Sequence, residues 1–95
     1  MVDYTDEALL KRLGERIRTV RKEGGLSLRD LAFKIGMEPS NLSVIENGKS
    51  NPQILTYARI ASALNVGLTD LFDFHFDFQG FADQPQKYQA RKHEK

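Results

Sequence analysis

At 95 residues, the chain has room for one domain with one modest core, and without cysteine it can build neither a disulfide framework nor a cysteine zinc site. It contains no run of about 18 apolar residues and no N-terminal segment with the order of a signal peptide, so a cytoplasmic protein with no membrane span is expected. A net charge of +1 neither demands nor forbids a polyanionic partner, because a few cations on one face suffice to hold phosphates.

Residues 6–22 read as a first helix, with Leu9, Leu10, Leu13, Ile17 and Val20 recurring at spacings of three and four. Thr5 or Asp6 can cap its start, and Gly24 with Gly25 ends it. Ser27 caps a second helix, with Asp30 three positions on as an acidic form of the capping box. Its apolar stripe is Leu28, Leu31, Ala32 and Ile35, and Gly36 stops it. Pro39 suits the first turn of a third helix, where its missing N–H would be unpaired anyway. That helix runs to about Asn47, buries Leu42 and Ile45, and ends at Gly48. After Asn51, Pro52 and Gln53, a fourth helix covers roughly 54–64 with Ile54, Tyr57, Ile60, Ala61 and Leu64 inward. Thr69 is expected to cap a short fifth helix, Asp70 to Phe72.

The period then changes. From Phe72 to Gln79 apolar and polar residues alternate, which predicts a half-buried β-strand within the segment 73–81. Phe74, Phe76 and Phe78 would share one face, and Asp73, His75, Asp77 and Gln79 the other. A lone strand leaves its edge unpaired, so this one is expected to pair antiparallel with the same strand of a second copy. The alternative is that the phenylalanines fold back on their own helices. Residues 82–95, polar and carrying Pro85, are expected to be a flexible tail.

Two short helices joined at Gly36, each apolar on a different face, are the usual way of presenting a helix to the DNA major groove. The face of the third helix opposite Leu42 and Ile45 carries Ser40, Ser43, Val44 and Asn47. Short side chains let a helix approach the groove floor, serine can donate or accept, and Val44 could meet a thymine methyl group. Ser40, Ser43 and Val44 are therefore candidate base contacts. Arg29, Asn47, Lys49, Ser50 and Asn51 are the candidate phosphate contacts, since they should ring that helix. His75 and His93 have no metal-ligand partners at useful spacing, and there is no catalytic constellation. Neither a cofactor nor an enzymatic activity is expected.

These helices, caps and turns resemble the Cro and phage-repressor type helix-turn-helix family (XRE family). The resemblance rests on Leu26, Ser27, Leu31, Ala32 and Gly36, then on Leu42, Ile45, Glu46, Gly48 and Lys49, at family spacing without a gap. Asn51, Pro52, Ile60, Ala61, Ala63, Leu64, Leu71 and Phe72 extend it, so that it covers residues 14–72. It implies an all-α, five-helix, lambda-repressor-like domain over residues 1–72, with residues 39–47 as recognition helix. It also implies a structural pair between Arg21 and Glu46. The implied function is sequence-specific binding of a palindromic double-stranded DNA operator as a homodimer, regulating transcription as a repressor or autoregulator. The sequence departs from the family at Leu28, often Gln, and at Glu38, usually a Ser or Thr cap. It departs again at Pro39 and Val44, base-facing positions of the family where Arg, Lys or Gln is frequent, and the resemblance thereby adds Pro39 to the candidate base contacts. These departures motivate the rival readings, a protein-interaction scaffold with Leu28, Pro39 and Val44 facing a protein, or an antitoxin of the same size.

Overall fold

The computed structural model describes residues 5–83. Over these residues there are five α-helices: α1 (Asp6–Glu23), α2 (Leu28–Lys34), α3 (Pro39–Glu46), α4 (Ile54–Ala63) and α5 (Leu68–Leu71). A single turn of 3-10 helix follows at Phe81–Asp83. The fold is all-α and five-helical, and no strand is present among the described residues.

Each helix begins and ends for a local reason. The Thr5 hydroxyl accepts from the Ala8 N–H at 3.1 Å, and α1 carries Asp6 and Glu7 at its start and Arg21 and Lys22 at its end, as the helix dipole favours. The Ser27 hydroxyl accepts from the Asp30 N–H at 3.0 Å, and the Asp30 carboxylate accepts from the Ser27 N–H at 3.0 Å, which closes the capping box of α2. At the other end of α2, Gly36 takes φ +68°, and the Met37 N–H reaches back to the Ala32 carbonyl at 2.9 Å. That left-handed residue turns the chain within residues 35–38, so α3 starts at once across α2.

α1 packs on α3 and α5, α2 on α3 and α4, and α4 on α5. The core gathers Leu13, Ile17 and Val20 from α1, Leu31 and Ala32 from α2, and Leu42 and Ile45 from α3. Tyr57, Ile60 and Ala61 of α4 and Leu71 of α5 complete it. Two glycines let α1 and α3 touch. A Cβ on Gly14 would lie 2.6 Å from the Ile45 carbonyl oxygen, and one on Gly48 would lie 2.6 Å from the Lys11 Cα. The Arg16 Nε donates to the Asp70 carbonyl at 2.8 Å and ties α1 to the end of the bundle.

Three expectations are corrected. Ile54 stands out from α4 at 57% exposure, beside Leu55 at 60%, because the inward stripe begins only at Tyr57. The fifth helix starts at Leu68 rather than Asp70, because the Asp70 carboxylate accepts from the Gly67 N–H at 2.7 Å and fixes Gly67, not Thr69, as its cap.

The third correction is the C-terminal strand. Residues 73–78 run irregularly into a turn rather than as an extended strand. The rings find each other instead. Phe76, Phe78 and Phe81 pack edge to face, with centroids 4.8 to 6.0 Å apart. Asp77 Oδ1 accepts from the Gln79 N–H at 2.9 Å and Gly80 takes φ +84°, a turn that carries Phe81 back to the other two. Phe74 packs against the core with the Arg12 guanidinium 5.2 Å from its ring centroid, and Phe76 shares a groove with Ala8, Lys11, Arg12 and Glu15 of α1. The segment thus folds back on its own first helix. Of the expected tail, residues 84–95, including His93, lie outside the described residues, as do residues 1–4.

Candidate nucleic-acid interface

The site is built around the last residue of α3. Glu46 is 2% exposed and lies against Arg21 of α1, itself 7% exposed. Arg21 Nε donates to Glu46 Oε2 at 2.7 Å and Arg21 Nη2 to Glu46 Oε1 at 3.0 Å. Arg21 Nη1 donates to the Leu26 carbonyl at 3.0 Å, so one guanidinium binds the end of α3 and the approach to α2 together. The hydrogen bonds to Glu46 raise the Arg21 pKa above its ordinary value; burial opposes this and the nearby negative charge adds to it. Arg18 supplies a second guanidinium, with Nε 3.3 Å from Glu46 Oε1 and Nη2 3.0 Å from Asn47 Oδ1. No buried polar side-chain atom among the described residues lacks a partner.

With Leu42, Ile45 and Glu46 inward, α3 turns a short-chained face outward. Ser40, Asn41, Val44 and Asn47 are exposed, and Pro39 and Ser43 are half-buried. Around this face the structure gathers most of the expected phosphate contacts. Arg29 shares a groove with Pro39, Phe33, Lys34 and Met37 at the start of α3. Ser50 and Asn51 share another with Asn41, Val44 and Thr56. Lys49 is exposed beyond the helix end, where Gly48 takes φ +72° and the Lys49 N–H bonds the Val44 carbonyl at 2.9 Å. Asn47 differs from the others, since its side-chain oxygen is already taken by Arg18. Leu28 packs against the core rather than projecting toward a partner. The Glu38 side chain makes no capping bond, and Pro39 supplies the first turn.

Arg18, Lys34 and Asn41 are members of this surface that the sequence reading omits. Two of them have a signal at helical spacing. Arg18 sits one turn before Arg21 on α1, and Asn41 one turn before Val44 on α3. Among the described residues no group of three or more His, Cys, Asp or Glu could hold a metal ion, and no helix is long and apolar enough to cross a membrane.

A short helix set across a second at a glycine turn, its far end locked to the first helix by a buried carboxylate, is a helix-turn-helix domain. A family model described as Helix-turn-helix matches residues 17–71, and the chain belongs to that family, the XRE-type helix-turn-helix proteins. It is similar to the HTH-type transcriptional regulator SinR of Bacillus subtilis (strain 168), at 42% identity over 62 residues, 64% of this chain and 56% of that protein. The chain spans roughly half the length of the curated relatives it matches. Among solved structures it is similar to the restriction-modification controller protein C.AhdI from Aeromonas hydrophila. The TM-score is 0.67 at 34% identity, over 68% of this chain and 98% of that one. It is also similar to the controller protein C.Esp1396I, solved as a tetramer in complex with its natural 35 base-pair operator. There the TM-score is 0.63 at 29% identity, over 68% of this chain and 86% of that one.

Proposed function

We propose that this domain binds double-stranded DNA sequence-specifically through α3 and regulates transcription, as a homodimer on a palindromic operator. It would act by occupying that site, as a repressor or autoregulator, in the cytoplasm. The observation that carries the reading is the presentation of α3. Its inner side is buried and its end is pinned to α1, while its outer side offers Ser40, Ser43 and Val44, with Pro39 at its first turn. Such a helix is rigid, narrow and polar enough to enter a major groove. Arg29, Asn47, Lys49, Ser50 and Asn51 would hold the flanking phosphates. Similarity to SinR and to an operator-bound controller protein supports the same reading.

In this reading residues 1–72 are the DNA-binding unit and residues 73–81 an appended aromatic segment. Phe74 is committed to its own core, but Phe78, 58% exposed, and Phe72, 39% exposed, leave apolar surface that a second copy could cover. The scaffold alternative is weakened, since Leu28 is partly buried against the core.

Selection from a random duplex pool, followed by binding at two salt concentrations, tests the proposal. A selected palindrome bound with strong salt dependence is the expected result. Replacing Ser40, Ser43 and Val44 together by alanine should erode preference for that site while the fold persists. Full preference in the triple variant, or no salt-sensitive binding by the wild type, would refute the assignment.

A further inference from the structure

A chain of side-chain hydrogen bonds runs from α1 to the outer face of α3. Arg18 Nη2 donates to Asn47 Oδ1 at 3.0 Å, and Asn47 Nδ2 donates to Ser43 Oγ at 3.4 Å. Its direction is forced from one end. A guanidinium carries donors only, so the Asn47 amide must turn its oxygen to Arg18 and its nitrogen to Ser43. Arg18 is itself held, because its Nε donates to Glu46 Oε1, an oxygen that also accepts from Arg21. Flipping the amide would set its NH2 against the guanidinium. A serine hydroxyl that accepts from Asn47 keeps its own hydrogen and one of its two lone pairs, and accepting polarises the O–H, so it donates more readily than it accepts a second time. The second hydrogen on Asn47 Nδ2 stays available to a phosphate.

We infer that Arg18 and Asn47 are positioning residues that present Ser43 to DNA as a hydrogen-bond donor, so that the site selects against cytosine at the base Ser43 meets. This rests on the DNA-binding reading above. In the major groove guanine N7 and O6, adenine N7 and thymine O4 all accept, whereas cytosine offers its N4 donor. A hydroxyl biased toward donating suits the first three bases better than the fourth. Short side chains on a recognition helix carry little specificity while their hydroxyls rotate freely, and the relay from α1 narrows that freedom at Ser43 by taking one of its acceptor directions.

The test takes the selected duplex and varies each position through all four bases, measuring relative affinity for the wild type and four variants. Ser43→Ala identifies the position it meets as the one whose base preference disappears. There the wild type should disfavour cytosine by about fivefold, the worth of one hydrogen bond. Arg18→Ala should abolish that preference at this position and no other. Arg18→Lys, which still donates to Asn47 Oδ1, should keep most of it. Asn47→Asp should reverse it, because a carboxylate takes the Ser43 hydrogen and turns the serine lone pairs to the base, where cytosine N4 then fits. A merely structural Arg18 would weaken all duplexes in proportion and leave their ratios unchanged. Each ratio is measured within one preparation, so a partly unfolded variant still reports it. Wild-type ratios in both Arg18→Ala and Asn47→Asp overturn the relay alone. A folded wild type with no salt-sensitive DNA binding overturns the DNA reading, and the relay falls with it.

Discussion

Arg21 and Glu46 meet in a two-pronged buried ion pair that fastens the last residue of α3 to α1, at 2.7 and 3.0 Å. Both are almost closed to solvent, so water cannot replace a lost partner. Breaking a pair of this kind from one side costs about 3–5 kcal/mol, because it strands a buried charge. Glu46→Ala should therefore lower the melting temperature by about 10 °C or more, with or without DNA. A melting temperature equal to that of the wild type would show that the pair contributes nothing to the fold.

Gly14 makes the same contact possible from the backbone side. A methyl group there would meet the Ile45 and Glu46 carbonyls, which the helix cannot move without lifting α3 from α1. Gly14→Ala should destabilise the domain by about 1–3 kcal/mol despite its better helix propensity. Gly24→Ala meets nothing closer than 3.5 Å and serves as the control. Denaturant midpoints of the two variants should separate clearly.

The parts of the fold legible in the sequence are the local ones. The caps at Thr5 and Ser27 and the stops at Gly36 and Gly48 act within a few residues, and a linear reading finds them. Gly14 escapes such a reading, because a missing side chain leaves no pattern and its reason lies across the bundle. The alternation from Phe72 to Gln79 misleads for a different cause. Period-two spacing registers which residues are apolar but not that the chain turns back on itself. The Asp77 turn and Gly80 bring Phe76, Phe78 and Phe81 together instead. On α3 the outward residues are legible by spacing alone. The link from Arg18 through Asn47 to Ser43 is not, because it joins residues that only the tertiary fold brings together.

The proposed phosphate contacts make a salt-dependence prediction. Lys49→Ala should weaken binding to all duplexes about equally and reduce the slope of log affinity against log salt by about 1. Arg29→Ala should do the same from the opposite end of α3, where Arg29 lies beside Pro39. Titrations from low to moderate salt measure both. An unchanged slope would remove that residue from the interface.

The capping box at α2 should show in the pH dependence of stability. Asp30 is held below the usual carboxylate range, first by the hydrogen bond from the Ser27 backbone, then by the Ser27 side chain, with Lys34 adding slightly. As pH falls, the unfolded chain takes up this proton before the folded one. The contribution of the charge is therefore complete above the unfolded pKa and is lost as pH drops through the folded one. Asp30→Asn should lie below the wild type in melting temperature at neutral pH, and the gap should close in acid. A gap that is constant with pH would mean that the charge plays no part in the cap.

The aromatic segment should divide into a residue that serves the fold and one that does not. Phe74 packs on the core under the Arg12 guanidinium, so Phe74→Ala loses both burial and the cation–ring contact. For a half-buried ring this amounts to about 1–2 kcal/mol. Phe78 is mostly exposed and touches only the rings of its own cluster among the aromatic contacts, so Phe78→Ala should cost under about 1 kcal/mol. The proposed dimer sets the opposite order for association. If a second copy covers Phe78, then Phe78→Ala should shift the solution mass toward the monomer at micromolar concentration, while Phe74→Ala should not do so beyond its effect on folding. Melting curves and solution mass, measured on the same two proteins, separate the roles. Equal loss of stability in both would refute the division, and a wild type that is monomeric at that concentration would remove the second copy from the proposal.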